Sequence, residues 1–151
     1  MLKIRVMRED RAGTALTSAR HARKLAADAL ETRHRELADY LEKKEARRDR
    51  IYEQVIGRPV KMDVLEDVRT AVTRIDEEGV LLERAEQEAE DELKMKERAA
   101  ESARVVFVGA SRNRMKIDEH RRIWVEETRI EEERAADVEM EEFTGKKGDE
   151  E

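Results

Sequence analysis

Cysteine is absent from this chain of 151 residues, and with it any disulfide framework, thiolate metal site or thiol nucleophile. That absence suits a reducing compartment, and a cytoplasmic location is the expectation. Aromatic residues amount to only 3% of the chain, too little bulk to fill a thick core. No stretch approaches the roughly 18 apolar residues that a membrane span needs. The N-terminus also lacks the continuous apolar core of a secretory signal, so no direct membrane insertion is expected. Proline occurs once, at Pro59, which leaves a single strong interruption in sequence dominated by helix formers.

What the chain has in abundance is charge. Charged residues make up 46% and hydrophobic ones 38%, with both signs interspersed. This composition points to long helices carrying narrow apolar stripes rather than to disorder. The formal net charge of -6 disfavours nonspecific binding to nucleic acid. The charge is also uneven. Before Ile56 bases outnumber acids, for example Arg20, Arg23, Lys24, Lys43 and Lys44, whereas from Glu126 onward acids such as Glu131, Glu132, Glu133 and Glu139 dominate.

The one proline sits in Ile56-Gly57-Arg58-Pro59-Val60. Proline biases Arg58 away from helical angles, and Gly57 tolerates the left-handed conformation that closes a helix. One helix is therefore expected over about 8–56 and a turn over 57–63. A second helix is expected over 64–143, its start marked by the capping-box spacing of Asp63 and Glu66. Residues 144–151 carry the glycines and charges of a flexible tail.

Both arms carry apolar residues at helical spacing. On the first arm these are Ala12, Ala15, Leu16, Ala19, Ala22, Ala26, Leu30, Leu37, Leu41, Ile51 and Val55. The opening Met1 to Met7 alternates apolar and basic residues, a pattern that in isolation also suits a short strand. The second arm holds a heptad register from Leu65 and Val68 to Ile117, Arg121 and Trp124, about nine heptads, with Gly79, Glu86, Lys96, Arg114 and Arg121 as faults in the seam. Val105 to Val108 is a β-branched and aromatic run, but the unbroken heptad on both sides assigns it to helix.

If the arms fold back at the turn, facing residue numbers should add to about 120, from equal rise on both arms. Ile51 then meets Val68, Leu37 meets Leu82, and the basic run Lys43 to Arg48 falls opposite Asp76, Glu77 and Glu78. The expected fold is all-α, two long antiparallel helices in a coiled-coil hairpin forming one elongated domain over 1–151. The second helix is longer, above about 100 Å, and overhangs the first from about Ile117 to Phe143, unless the first few residues of the chain fold over it.

Such a fold offers little of the concavity in which catalytic groups are desolvated and tuned, so no enzyme is expected. Glu31-x-x-His34 has the spacing of helical di-iron sites, yet His21, His34 and His120 stand far apart and no second motif exists. No metal or other cofactor is expected. Thr144-Gly145-Lys146-Lys147 lacks the upstream glycine and strand of a phosphate loop. Basic residues before a heptad invite comparison with leucine zippers, but Glu45 and Asp49 interrupt them, so no nucleic-acid binding is expected. Trp124 has two readings, a heptad position closing the seam or an anchor for a partner.

The stretch Lys116-Ile117-Asp118-Glu119-His120-Arg121-Arg122-Ile123-Trp124-Val125-Glu126-Glu127 is followed by Glu131-Glu132-Glu133-Arg134 and Glu139-Met140-Glu141-Glu142-Phe143. With Val6-Met7-Arg8-Glu9-Asp10-Arg11-Ala12 and Gly57-Arg58-Pro59-Val60, it resembles the YscO family of type III secretion proteins, counterparts of flagellar FliJ. The resemblance implies a non-catalytic central stalk and escort in a type III export apparatus, similar to the γ subunit of rotary ATPases. The implied partners are the hexameric export ATPase, the cytoplasmic domain of the export gate and secretion chaperones. It implies a cytoplasmic protein, peripheral to the inner membrane at the secretion apparatus and monomeric in isolation, and leaves open whether the chain is itself exported. On this resemblance Gly57, Arg58 and Pro59 form one partner-binding tip, and Arg121, Trp124, Glu131, Glu132 and Phe143 belong to the other. A passive coiled-coil tether, self-associating through the overhang, and a flagellar export stalk are the alternatives.

Overall fold

The computed structural model describes residues 1–148. Two helices account for nearly all of them, α1 over Leu2–Glu53 and α2 over Met62–Gly148, with 52 and 87 residues, and there is no strand among the described residues. They form the expected antiparallel hairpin with the second helix longer. α1 begins at Leu2 rather than near residue 8. Leu2, Val6 and Glu9 are half-buried and Ala12 is buried, which is helical spacing, so the alternation of the first seven residues is one flank of a helical stripe and not a strand. α2 continues through Thr144 and Gly145 to Gly148, while residues 149–151 of the expected tail lie outside the described residues.

α1 closes by tightening. The amides of Gln54 and Val55 donate to the carbonyls of Ile51 and Tyr52, three residues back, and Gly57 follows with φ of 70°. It is the only described residue with positive φ, a conformation that glycine adopts without a Cβ penalty. α2 starts at Met62, two residues earlier than the capping-box spacing of Asp63 predicts. The Lys61 carbonyl accepts from Val64 and Leu65 N–H, so Asp63 lies inside the first turn, where its charge complements the helix dipole instead of capping it.

The chain divides into two compact units, Ala15–Ala103 and Met1–Thr14 with Arg104–Glu151. In the first, the seam buries Leu16, Ala26, Tyr40, Val68, Val72 and Ile75, with Ala100 near its end. The α2 heptad matches this burial: Leu82, Ala89, Leu93 and Lys96 are half-buried in register. Leu65, nearest the turn, is instead exposed, as is Ala15 on α1.

The first-arm stripe is corrected at Leu41, which is 56% exposed, while its neighbour Tyr40 is 5% exposed. The cause lies on α2. A Cβ built on Gly79 would stand 2.4 Å from the Tyr40 hydroxyl, so only glycine leaves room for that ring. Through the gap the Tyr40 O–H donates to the Ile75 carbonyl at 2.7 Å, satisfying the buried phenol. Gly79 is therefore the socket for Tyr40 rather than a fault in the seam.

Glu86 also has a use, since it pairs with His34 Nδ1 across the seam. The basic run is met in part: Lys44 Nζ lies 3.4 Å from Asp76 and Arg47 lies 2.8 Å from Glu78. Lys43 pairs with Asp39 and Arg48 with Glu45 on their own helix, because their side chains point along α1 rather than across it. Residue numbers add to 120 for Lys44 with Asp76 and for His34 with Glu86, the register set by the turn.

In the second unit, Gly13 packs on the Phe107 ring, with a would-be Cβ 3.4 Å away, and that pair again adds to 120. Arg114 Nε sits 3.0 Å from a Glu9 carboxylate oxygen, although its N–H is not aimed for a hydrogen bond. Among the described residues of this unit Ala12 alone is buried. Met1 should face α2 near residue 119 on equal rise. Beyond that level α2 has no α1 beside it.

Candidate docking surfaces

The residues singled out for partner binding fall into separate places. Gly57, Arg58 and Pro59 lie in the connection between helices, all exposed, with open space around Gly57. Arg121, Trp124, Glu131, Glu132 and Phe143 lie along α2 in the other compact unit and are exposed as well. Trp124 is 65% exposed. Its heptad position is real, but no α1 residue reaches that level to close a seam over it. Ile123 and Val125 beside it are 46% and 52% exposed, so this turn of helix shows water a run of three large apolar side chains. Consecutive helical positions point about 100° apart, so these are three separately exposed side chains, of which Trp124 is the largest.

Past Trp124 the acidic residues are organised by arginine. Arg129 donates to Glu126 at 2.7 Å one turn before it and lies 2.5 Å from Glu133 one turn after. The hydrogen bond and charge of Arg129 hold the Glu126 carboxyl below its ordinary value, and Arg129 is in turn held more firmly protonated by Glu126. These groups are fully solvated, so the ladder supports the helix only weakly. Farther on, Phe143 is 70% exposed and lines a shallow depression with Ala136, Glu139 and Met140.

Sequence reasoning passed over one feature. Arg5, Arg8 and Arg11 from α1 border a groove of about 530 Å³, floored by Ala12, Val106, Gly109 and Ala110 and closed by Asn113. The signal was present as three arginines at three-residue spacing. It is unreadable until α1 is known to start at Leu2 and to face residues 106–113.

Among the described residues no cluster of His, Asp or Glu is arranged to hold a metal ion, and no helix is long and apolar enough to cross a membrane.

A family model described as type III secretion protein YscO matches residues 1–146. The chain belongs to the YscO family. This is a secretion family and not a known enzyme family, so the chain is a type III secretion-related protein. No curated protein and no solved structure gives a significant match.

Proposed function

We propose that this YscO-family chain is a non-catalytic central stalk and escort of a type III export apparatus. It binds the hexameric export ATPase and the cytoplasmic domain of the export gate, and it escorts secretion chaperones. It works without a cofactor on the cytoplasmic side of the inner membrane. One observation carries this reading: in a chain matched to the family over residues 1–146, α2 is unpaired past about residue 119, where Trp124 is exposed.

A narrow helical end with unsatisfied apolar surface suits insertion into a ring that supplies the missing partner. Tryptophan is over-represented among the residues that dominate such interfaces. The turn at Gly57 to Pro59 is the second contact point, toward the export gate.

The test is titration of the protein into its cognate export ATPase. Hydrolysis or the hexamer fraction should rise. No binding to either the ATPase or the gate domain defeats the proposal, and binding without any change in hydrolysis or assembly leaves a passive tether.

A further inference from the structure

The arginine-lined groove and the acidic end of α2 lie in the same compact unit and fit one another's chemistry. Arg5, Arg8 and Arg11 have no ion-pair partner among the described residues. Ala12, Gly109 and Ala110 make the floor small beside Val106, and a Cβ on Gly109 would meet nothing within 4 Å, so a third helix can approach closely there. Between Glu126 and Glu142 the chain has nine acidic residues and two arginines, one of them already engaged by Glu126 and Glu133. We propose that this groove takes the acidic segment of α2 from a second copy of the chain, forming a two-fold antiparallel dimer centred on Trp124.

The geometry comes from helical phase. At about 100° per residue, Ala110, Asn113, Trp124, Ala135 and Val138 all fall within about 40° of one line along α2. A two-fold axis beside Trp124 makes facing residue numbers of the two copies add to about 248 on equal rise. The exposed tryptophans then meet, and Val138 of the second copy, itself 54% exposed, drops onto the small-residue floor at Ala110.

Charge follows the same operation. Glu132 and Glu139 lie 25 residues, about seven turns, beyond Phe107 and Arg114, the residues where α2 carries α1. They therefore flank the contact face on the side from which the arginines project. Arg11 comes level with Glu139 of the second copy, and Arg8 is bracketed by Glu132 and Glu139. From Ala110 to Val138 the contact runs about 42 Å on each helix, long enough to reach the size of a stable interface. Because the relation is isologous, both grooves are filled at once and the assembly closes at two.

Sedimentation of the full chain from about 1 to about 200 μM tests this directly. A monomer–dimer equilibrium is expected, and the dimer should weaken as salt rises from about 0.05 to about 0.5 M. Arg8→Glu with Arg11→Glu should raise the dissociation constant at least about tenfold, as should Glu132→Arg with Glu139→Arg; this is the scale of several exposed ion pairs lost together. Mixing the two variants should restore pairing between them, while circular dichroism of each alone reports that the helices persist. A monomer throughout the range, or a dimer indifferent to salt and to both variants, overturns the proposal. This inference is independent of the stalk reading: a strict monomer that stimulates the ATPase refutes only the dimer, and a charge-swappable dimer that binds no ATPase refutes only the stalk.

Discussion

The two compact units are built from the same two helices and the same register, yet they hold their helices by different means. In 15–103 the seam is specific. Tyr40 fills the space above Gly79 and reaches the Ile75 carbonyl, and charged pairs cross the seam at Lys44 with Asp76 and Arg47 with Glu78. In 1–14 with 104–151 Ala12 is the one buried hydrophobic among the described residues, the helix contact stops where α1 begins, and Trp124, Met140 and Phe143 are each at least 65% exposed. Both units expose large apolar side chains, Leu25, Val80, Leu81 and Met95 in the first as well as Trp124, Met140 and Phe143 in the second; what sets the first apart is the buried lock at Tyr40.

The most damaging way to break the contrast is to remove the lock. Tyr40→Ala should cost about 3 kcal/mol, the scale of deleting a buried aromatic together with its hydrogen bond. Gly79→Ala should also destabilise, by about 1–2 kcal/mol, because displacing the ring outweighs the gain in helix propensity of about 1 kcal/mol. In the Tyr40→Ala background the sign should reverse, with Gly79→Ala now stabilising. Chemical denaturation of the four proteins measures this cycle, and an additive result would show that ring and glycine do not share the space.

Trp124→Ala probes the other unit. The melting temperature should change by no more than about 1–2 °C, since no seam is lost, while affinity for the ATPase should fall by about tenfold or more, as at an interface hot spot. A large loss of helicity with binding intact would return Trp124 to a structural role.

Glycine substitution sharpens the same comparison at smaller scale. Gly13→Ala meets only ordinary contact with Phe107, and Gly109→Ala meets nothing. Each should stabilise by about 0.5–1 kcal/mol through helix propensity, opposite in sign to Gly79→Ala. Thermal melts of the three variants rank them.

The fold was legible because its determinants are local or periodic. One proline, one glycine at the turn and a heptad spaced at threes and fours set two helices and their register, and that register places His34 opposite Glu86 and Gly13 opposite Phe107. The lock was not legible, because periodicity scores Gly79 as a gap in a stripe and cannot see that a ring from 39 residues earlier fills it. For the same reason the pattern favours Leu41 over Tyr40: both lie near the seam, and the choice is made by the shape of the opposite helix. The arginine groove joins segments about 100 residues apart and needs the register before its three charges become one surface. Trp124 was recognised as informative, but whether it closed a seam depended on where α1 begins.

The smallest expected effect concerns the acidic ladder of the second unit. The hydrogen bond and charge of Arg129 hold the Glu126 carboxyl below its ordinary value of 4.5. A carboxyl depressed in the folded chain contributes support that is fully present above the unfolded value and is lost as pH falls through the folded one. Acidification below about 4.5 should therefore loosen the turn between Glu126 and Glu133, while the lock at Tyr40 and Gly79, which contains no carboxylate, stays closed. Carboxyl-carbon NMR titration should place Glu126 below its ordinary value, and Arg129→Gln should bring it back up. The titration should also flatten in high salt, because every member of the ladder is exposed to solvent. A Glu126 that titrates at its ordinary value in the unmodified chain would mean that the ladder is not populated in solution.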